Sequence, residues 1–360
     1  MISKEILVIY PEVNQTKMAV YRNSNITFLK TIKHKAEDLQ QFTNLMDQAD
    51  FRTKAVINEI NDNELNKNAL EFIAARGGLI KPLKVAGVYE VNALMIEHLK
   101  TGFQGVHETN MGGIIADNIA KFLPNAKAYL ADPVVVDELD DIARVTGHPE
   151  FERKSIFHAL NHKYIARSYA KSNNKCYYDM NLIVAHVGSG GVSVGAHKGG
   201  KVVDVNQAFD GAGPFSLTRA GTLPPGKLVN YCFSGKYTKE QMLQLITSNG
   251  GVVAHLGTSN IHEIYQRIDV GDEKAKFIMD AMAYNIAKQI GSMAVALDFK
   301  VDAILLSGSL FNYPTFTEFI STKIKPIAPI ALFSSINDMD ALAMNAFLAL
   351  KGEIEIHQYN

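Results

Sequence analysis

Asn181-Leu-Ile-Val-Ala-His-Val-Gly-Ser-Gly-Gly-Val-Ser-Val-Gly-Ala-His-Lys-Gly-Gly-Lys-Val-Val-Asp-Val-Asn206 decides the fold class. Apolar and β-branched runs at Asn181–Val187, Val192–His197 and Lys201–Asn206 are separated by a glycine turn, Gly188–Gly191, and a second turn, Lys198–Gly200. The pattern predicts a three-strand β-meander. The start of the chain repeats it. Strands are predicted at Ile6–Tyr10, Lys17–Tyr21 and Ile26–Ile32, with breaks at Pro11–Gln15 and Arg22–Asn25. After the first meander come helical patterns at Ala36–Met46 and Glu64–Ala75, then a strand at Ala126–Leu130. After the second come a long helix, Lys274–Leu297, a strand, Ala303–Leu306, ending in Ser307-Gly308-Ser309, a strand, Ile330–Phe333, and a closing helix, Met339–Leu350. One scheme used twice predicts two related α/β domains; two unrelated α/β domains are the plainer alternative. The chain has 360 residues, and a single core stops growing at about 250–300. The domains are placed at residues 1–155 with 335–360, and at 156–334.

Composition excludes several classes. Apolar residues make up 47% and charged residues 20%, as in globular proteins. Lys plus Arg is 36 against 37 for Asp plus Glu, so no basic footprint points to nucleic acid or an anionic membrane. Cys176 and Cys232 form no CxxC pair, which argues against a disulfide scaffold or zinc ribbon. No stretch approaches the roughly 20 apolar residues of a membrane span, and the N-terminal apolar run is too short for a signal peptide. A cytoplasmic location is expected.

Several motifs carry possible chemistry. In His186-Val-Gly188-Ser189-Gly190-Gly191 the glycines can bring backbone N–H groups to phosphate oxygens; a plain hairpin turn accounts for them equally. The loop leads into a strand, so P-loop and Rossmann readings are disfavoured. Ser307-Gly308-Ser309 ends an apolar strand, where ligands of α/β sheets collect, although most such turns are only turns. His158 and His162 lie one helical turn apart without the glutamate of HExxH, which argues against zinc-protease chemistry; one packed and one exposed histidine is the plainer account. Arg76 and Arg219 stand beside glycines, each offering a planar fork for carboxylate or phosphate, or each a surface arginine.

Together with Arg76-Gly-Gly-Leu-Ile-Lys-Pro82, Tyr89-Glu-Val-Asn92, Asp132-Pro-Val-Val-Val-Asp137, Glu152-Arg-Lys-Ser-Ile-Phe-His-Ala159, Asp210-Gly-Ala-Gly-Pro-Phe-Ser216 and Cys232-Phe-Ser-Gly-Lys-Tyr237, these segments resemble the butyrate kinases of the acetokinase family along nearly the whole chain. The resemblance implies two ribonuclease-H-like domains of the actin-like ATPase fold around an ATP cleft. It implies ATP and Mg²⁺ as cofactors, a small carboxylate as substrate, and a homodimer or higher homo-oligomer. By motif match, Arg76, His107, Asp132, His158 and Arg219 are the catalytic candidates. Asp132 and Asp338 are the metal candidates, with Asp340 an equal alternative to Asp338. Thr16, Lys17, His186, Gly188, Ser189, Gly190, Gly191, Ser307, Gly308 and Ser309 are the nucleotide candidates.

The implied reaction is butanoate plus ATP giving butanoyl phosphate and ADP, reversibly. The first phosphate loop of the family reads Asn-Pro-Gly-Ser-Thr-Ser-x-Lys; here it reads Tyr10-Pro-Glu-Val-Asn-Gln-Thr-Lys17. Tyr10 and Glu12 motivate a second reading of a different class, a paralogue with impaired ATP turnover that binds an acid or acyl phosphate and regulates.

Overall fold

The computed structural model of the chain describes residues 5–23, 25–188, 191–334 and 337–360. The chain divides into two compact units, Met1–Val136 with Asn337–Asn360, and Asp137–Ile336.

The first unit holds strands β1 (Glu5–Pro11), β2 (Gln15–Arg22), β3 (Asn25–Lys33), β4 (Leu70–Arg76), β5 (Val88–Glu90) and β6 (Lys127–Ala131). The second holds β7 (Leu182–Val187), β8 (Val192–Lys198), β9 (Lys201–Val205), β10 (Ala303–Ser307) and β11 (Ile330–Phe333), and β12 (Ile356–His357) returns to the first. The sheet orders are β12-β5-β6-β4-β1-β2-β3 and β11-β10-β7-β8-β9. Each sheet contains an antiparallel meander whose first strand pairs in parallel with a later strand, β4 on β1 and β10 on β7. A further parallel strand follows, β6 or β11. The duplicated scheme is thus present, and the first unit extends it with β5 and β12.

Two helical expectations are overturned. Glu64–Ala75 was expected to be helical, yet Leu70–Arg76 is strand β4, paired on both sides. Leu70-Glu-Phe-Ile-Ala-Ala lacks the alternation of a half-buried strand because both its faces are covered, and pairing overrides the local preference of its alanines. The Ala36–Met46 pattern yields only a short helix, Ala36–Gln40. The Asn44 side chain then accepts the Met46 N–H, and a longer helix, Gln48–Asp62, follows.

In the second unit, alternation assigns each strand residue to one of two cores. Leu182, Val184, Ala303 and Leu305 pack with Ile165, Ala166 and Ala170 of the helix Ala159–Ser172. Ile183, Ala185, Val187, Ile304 and Leu306 pack under the helix Glu273–Ala296. The expected first domain ended at residue 155, whereas the first unit ends at Val136. Residues 137–155 are tied to the second sheet. Asp140 N–H donates to Val203 O at 2.9 Å, and Arg153 reaches Asp204 at 2.7 Å. Buried Lys163 donates to Glu138 at 2.6 Å, and Glu138 also accepts the Val202 N–H. Among the described residues no helix is long and apolar enough to cross a membrane.

Removing one partner of a buried ion pair leaves an uncompensated charge. Glu138→Gln should therefore lower stability by about 3 kcal/mol in urea unfolding, and an unchanged midpoint would show the pair to be dispensable. Three histidines make stability depend on pH. Burial, reinforced by Arg52, holds His34 down at about 4. Burial, then neighbouring imidazole charge and Lys163, holds His162 and His197 well below the ordinary value. Below pH about 6.5 the unfolded chain protonates these rings and the folded chain does not. Stability should therefore fall as pH drops from about 6.5 toward 4. The fall in urea midpoint from pH 7 to pH 5 should be smaller in His34→Gln; an equal fall would mean that folded His34 titrates normally.

Candidate active site

In the first unit, β1, β4 and β6 run parallel and end side by side, with Ile9 opposite Ala75 and Arg76 opposite Ala131. This places Tyr10, Arg76 and Asp132 along one carboxyl edge, where α/β sheets present ligands. The Tyr10 hydroxyl donates to the Asp338 carboxylate. The Arg76 guanidinium lies 4.9 Å from the Tyr10 ring centroid. Burial, offset in part by Arg76 and reinforced by Asp338, raises the Tyr10 phenol far above its usual range, so it stays protonated. Burial opposes the Arg76 charge, but Tyr10, Asp338, Glu108 and Glu12 outweigh it and raise its pKa. Asp132 is buried at φ +38°, a left-handed conformation rare outside glycine and enriched at functional positions. Its Oδ2 accepts from Asn345 Nδ2 at 3.1 Å. Asn345 and Asp338 share the helix Asp338–Leu350. Asp340 instead accepts from Tyr21 on β2 at 2.7 Å, away from the Arg76 cluster.

The β1–β2 turn closes through Glu12 N–H to Gln15 O at 2.8 Å. Glu12 folds back within it, accepting from Lys17 Nζ at 2.9 Å and from Gln15 Nε2. Behind the turn stands Arg52, fully buried. It donates to the carbonyls of Glu12, Val13 and Gln15 at 2.7–2.9 Å and to Gln48 Oε1. Thr16 is also fully buried, its hydroxyl held by His34 at 2.9 Å and by Arg52 at 3.3 Å. His107 precedes the helix Asn110–Phe122, with Nδ1 3.2 Å from Thr109 Oγ1 and Nε2 3.4 Å from Glu108. Asn110 Oδ1 accepts the Leu79 N–H at 2.9 Å. A Cβ on Gly112 would stand 2.3 Å from the Arg76 carbonyl oxygen, so this helix is seated directly on the Arg76 turn.

In the second unit, Gly188 N–H closes the glycine turn on Gly191 O at 2.9 Å. Ser189 and Gly190 lie outside the described residues. A Cβ at Gly188 would lie 3.2 Å from His158 Nε2 and 3.4 Å from His186 Nε2, so both rings present Nε2 to this turn. Each holds a serine through Nδ1, His158 on Ser193 at 2.8 Å and His186 on Ser307 at 3.1 Å. A Cβ at Gly191 would stand 2.6 Å from Arg219 Nη1. The Arg219 guanidinium also donates to Ala208 O and lies 5.2 Å from the Phe209 ring centroid. Gly308 has φ +114° and packs against the Val187 carbonyl, and Ser309 opens a 3-10 turn.

The first unit therefore gathers Tyr10, Arg76 and Asp338, with Asp132 bonded to Asn345 of the same closing helix and Lys17 tied to Glu12. The second gathers His158, His186, Gly188, Gly191, Arg219 and Ser307–Ser309. Thr16 faces away from the turn surface, into Arg52. Among the described residues no three His, Cys, Asp or Glu side chains form a group that could hold a metal. Sequence reasoning passed over Arg52 and Asn345. The signal for Arg52 was a charge on the buried face of its helix, in step with Gln48, Val56 and Ile60.

Residues 148–313 match the acetokinase family. Butyrate kinase 2 of Clostridium acetobutylicum is 46% identical over 355 residues, 99% of both chains. A probable butyrate kinase of Bacteroides thetaiotaomicron is 42% identical with the same coverage. Among solved structures, Porphyromonas gingivalis acetate kinase superposes with TM-score 0.76 at 16% identity, over 96% of this chain and 100% of that one. A propionate kinase from Francisella tularensis gives 0.74 at 16%, over 95% and 98%. Relatedness at this level along both whole chains places the present chain in the acetokinase family, with the butyrate kinases.

Proposed function

We propose that the chain is an ATP-dependent carboxylate kinase, forming butanoyl phosphate and ADP from butanoate and ATP, reversibly. The observation that carries this is full-length relatedness to butyrate kinases, with Arg76, Asp132, His158 and Arg219 all standing at strand ends or the glycine turn. It does not favour the regulatory paralogue. A carboxylate is already ionised at pH 7, so no general base is required. The difficulty is bringing two anions together, which calls for positioning and charge neutralisation. In the first unit Arg76 orients the acid or the moving phosphoryl group, with His107 in the adjoining loop. In the second, Arg219 and His158 neutralise and donate to phosphoryl oxygens above Gly188–Gly191, and Ser307–Ser309 receives the adenosine.

Asp132 and Asp338 offer the hard carboxylate oxygens that Mg²⁺ takes. Asp338 is preferred over Asp340 because it belongs to the Arg76 cluster. Mg²⁺ bound there would neutralise charge on the phosphates. The chain is further taken to act in the cytoplasm as a homodimer or higher homo-oligomer. Exposed free Cys176 and Cys232 suit a reducing compartment, and exposed Val229, Tyr231 and Phe233 suit association.

Purified protein with ATP, Mg²⁺ and butanoate should yield hydroxamate on trapping with hydroxylamine; binding of butanoate with no product at high enzyme concentration would revive the regulatory reading. The Glu12–Lys17 pair gives a sharper test of the first loop. Partly exposed pairs contribute about 0.2–1 kcal/mol, so Glu12→Gln, by freeing Lys17 for phosphate, should raise kcat/KM for ATP by about two- to fivefold while leaving the KM for butanoate unchanged. A variant matching the parent would remove Lys17 from the nucleotide site.

A further inference from the structure

Strand β8 carries Ser193, Gly195 and His197 at every second position, all on the face covered by the helix Ala159–Ser172. That helix and its first flanking residue supply His162 and His158, one turn apart. The two patterns interlock. His158 Nδ1 lies 2.8 Å from Ser193 Oγ, and Ser193 Oγ lies 2.9 Å from His162 Nε2. His162 Nδ1 lies 3.2 Å from His197 Nε2, and His197 Nδ1 lies 2.8 Å from the Tyr177 hydroxyl. Gly195 leaves room for the His162 ring, since a Cβ there would stand 3.2 Å from Nδ1. Ser193, His162 and His197 are fully buried.

A neutral imidazole has one donor and one acceptor, and a hydroxyl has one proton. Two arrangements use the Ser193 proton within the chain and satisfy every link: all protons pointing toward His158, or all pointing toward Tyr177. The remaining order, with Ser193 accepting from both rings, leaves its own proton outside the chain in a buried site. Charges at the ends choose between the first two. Lys163, fixed by Glu138 and Gly200 O, places its ammonium 5.8 Å from the Tyr177 ring centroid. That cation favours a phenol proton turned away, toward His197. Phosphate at the other end favours an N–H directed at it.

We propose that Tyr177, His197, His162 and Ser193 are positioning residues that form a one-directional hydrogen-bond chain, fixing His158 as the Nε2–H tautomer aimed at the Gly188 turn. The chain starts at Tyr177 O–H and ends at His158 Nε2–H. No proton is transferred along it. Its consequence for catalysis rests on the proposed role of His158 in phosphoryl transfer.

A double-mutant cycle and a spectrum test it. Ser193→Ala should lower kcat about tenfold or more, with KM for butanoate within twofold. Ser193→Thr, which keeps the hydroxyl, should recover most of the rate. In a His158→Ala background the same Ser193→Ala change should cost less than twofold, because its effect runs through His158. Equal losses in both backgrounds would reduce Ser193 to packing and overturn the proposal. Nitrogen shifts of ¹⁵N-histidine-labelled protein read the tautomer independently of activity. His158 should be Nε2–H in the parent and lose that preference in Tyr177→Phe; an Nδ1–H parent overturns the chain. A fully active His158→Ala with an Nε2–H spectrum in the parent would leave the chain standing and remove His158 from the phosphoryl-transfer mechanism.

Discussion

At Gly308 the backbone turns with φ +114°, and any Cβ would stand 2.1 Å from the Val187 carbonyl oxygen. Only glycine meets both demands. The contact locks the end of β10 against the end of β7 and seats Ser307 opposite His186. From that pairing follow the Ser307–His186 hydrogen bond, the direction of His186 Nε2 and the floor of the Gly188 turn. A methyl at Gly308 would push the two strand ends apart and disturb all three together. The second-unit site therefore hangs first on an approach of backbone to backbone, and only then on its charged side chains.

The first unit reaches a fixed loop by a different route. Burying an unpaired guanidinium costs several kcal/mol, but Arg52 finds three carbonyls of the β1–β2 turn and the Gln48 amide. Its acceptors are backbone atoms, so the turn keeps its shape with little regard to its side chains. This gives a physical account of how Glu12, Val13, Asn14 and Gln15 stand where the family has small residues. Turn geometry has been taken over by an arginine 40 residues further along the sequence.

Strands that end on turns with glycine or proline were legible from local pattern, and so was the doubling of the scheme. Ile330–Phe333 is a strand with the expected bounds. β4 was not legible: its neighbours β1 and β6 lie far away in sequence, and with both faces covered it carries no period of two. The same limit applies to the site. His158 and His162 could be read as neighbours on one helical turn, but what each does depends on Ser193 and His197, which reach them through β8. Asn345 likewise gains meaning only when the closing helix returns to Asp132. Local chemistry showed in the sequence wherever neighbours in space were neighbours in the chain.

The two units handle charge in contrasting ways, and this bears on which half receives which part of the substrate pair. The first sets Arg76 among Asp338, Glu108 and Glu12, with Asp132 bonded to Asn345 of the closing helix that carries Asp338, so acidic oxygens outnumber the cation. In the proposed reaction this set leaves a single guanidinium to meet a carboxylate. The second places Arg219 and two imidazoles at a glycine turn. A triphosphate, already strongly anionic, is favoured where such donors face it. Under the proposed reaction the acid therefore goes to Arg76 in the first unit and the phosphate chain mainly to the second, with Lys17 its contact from the first. That assignment rests on the charged side chains of each unit, whichever short-chain acid is used.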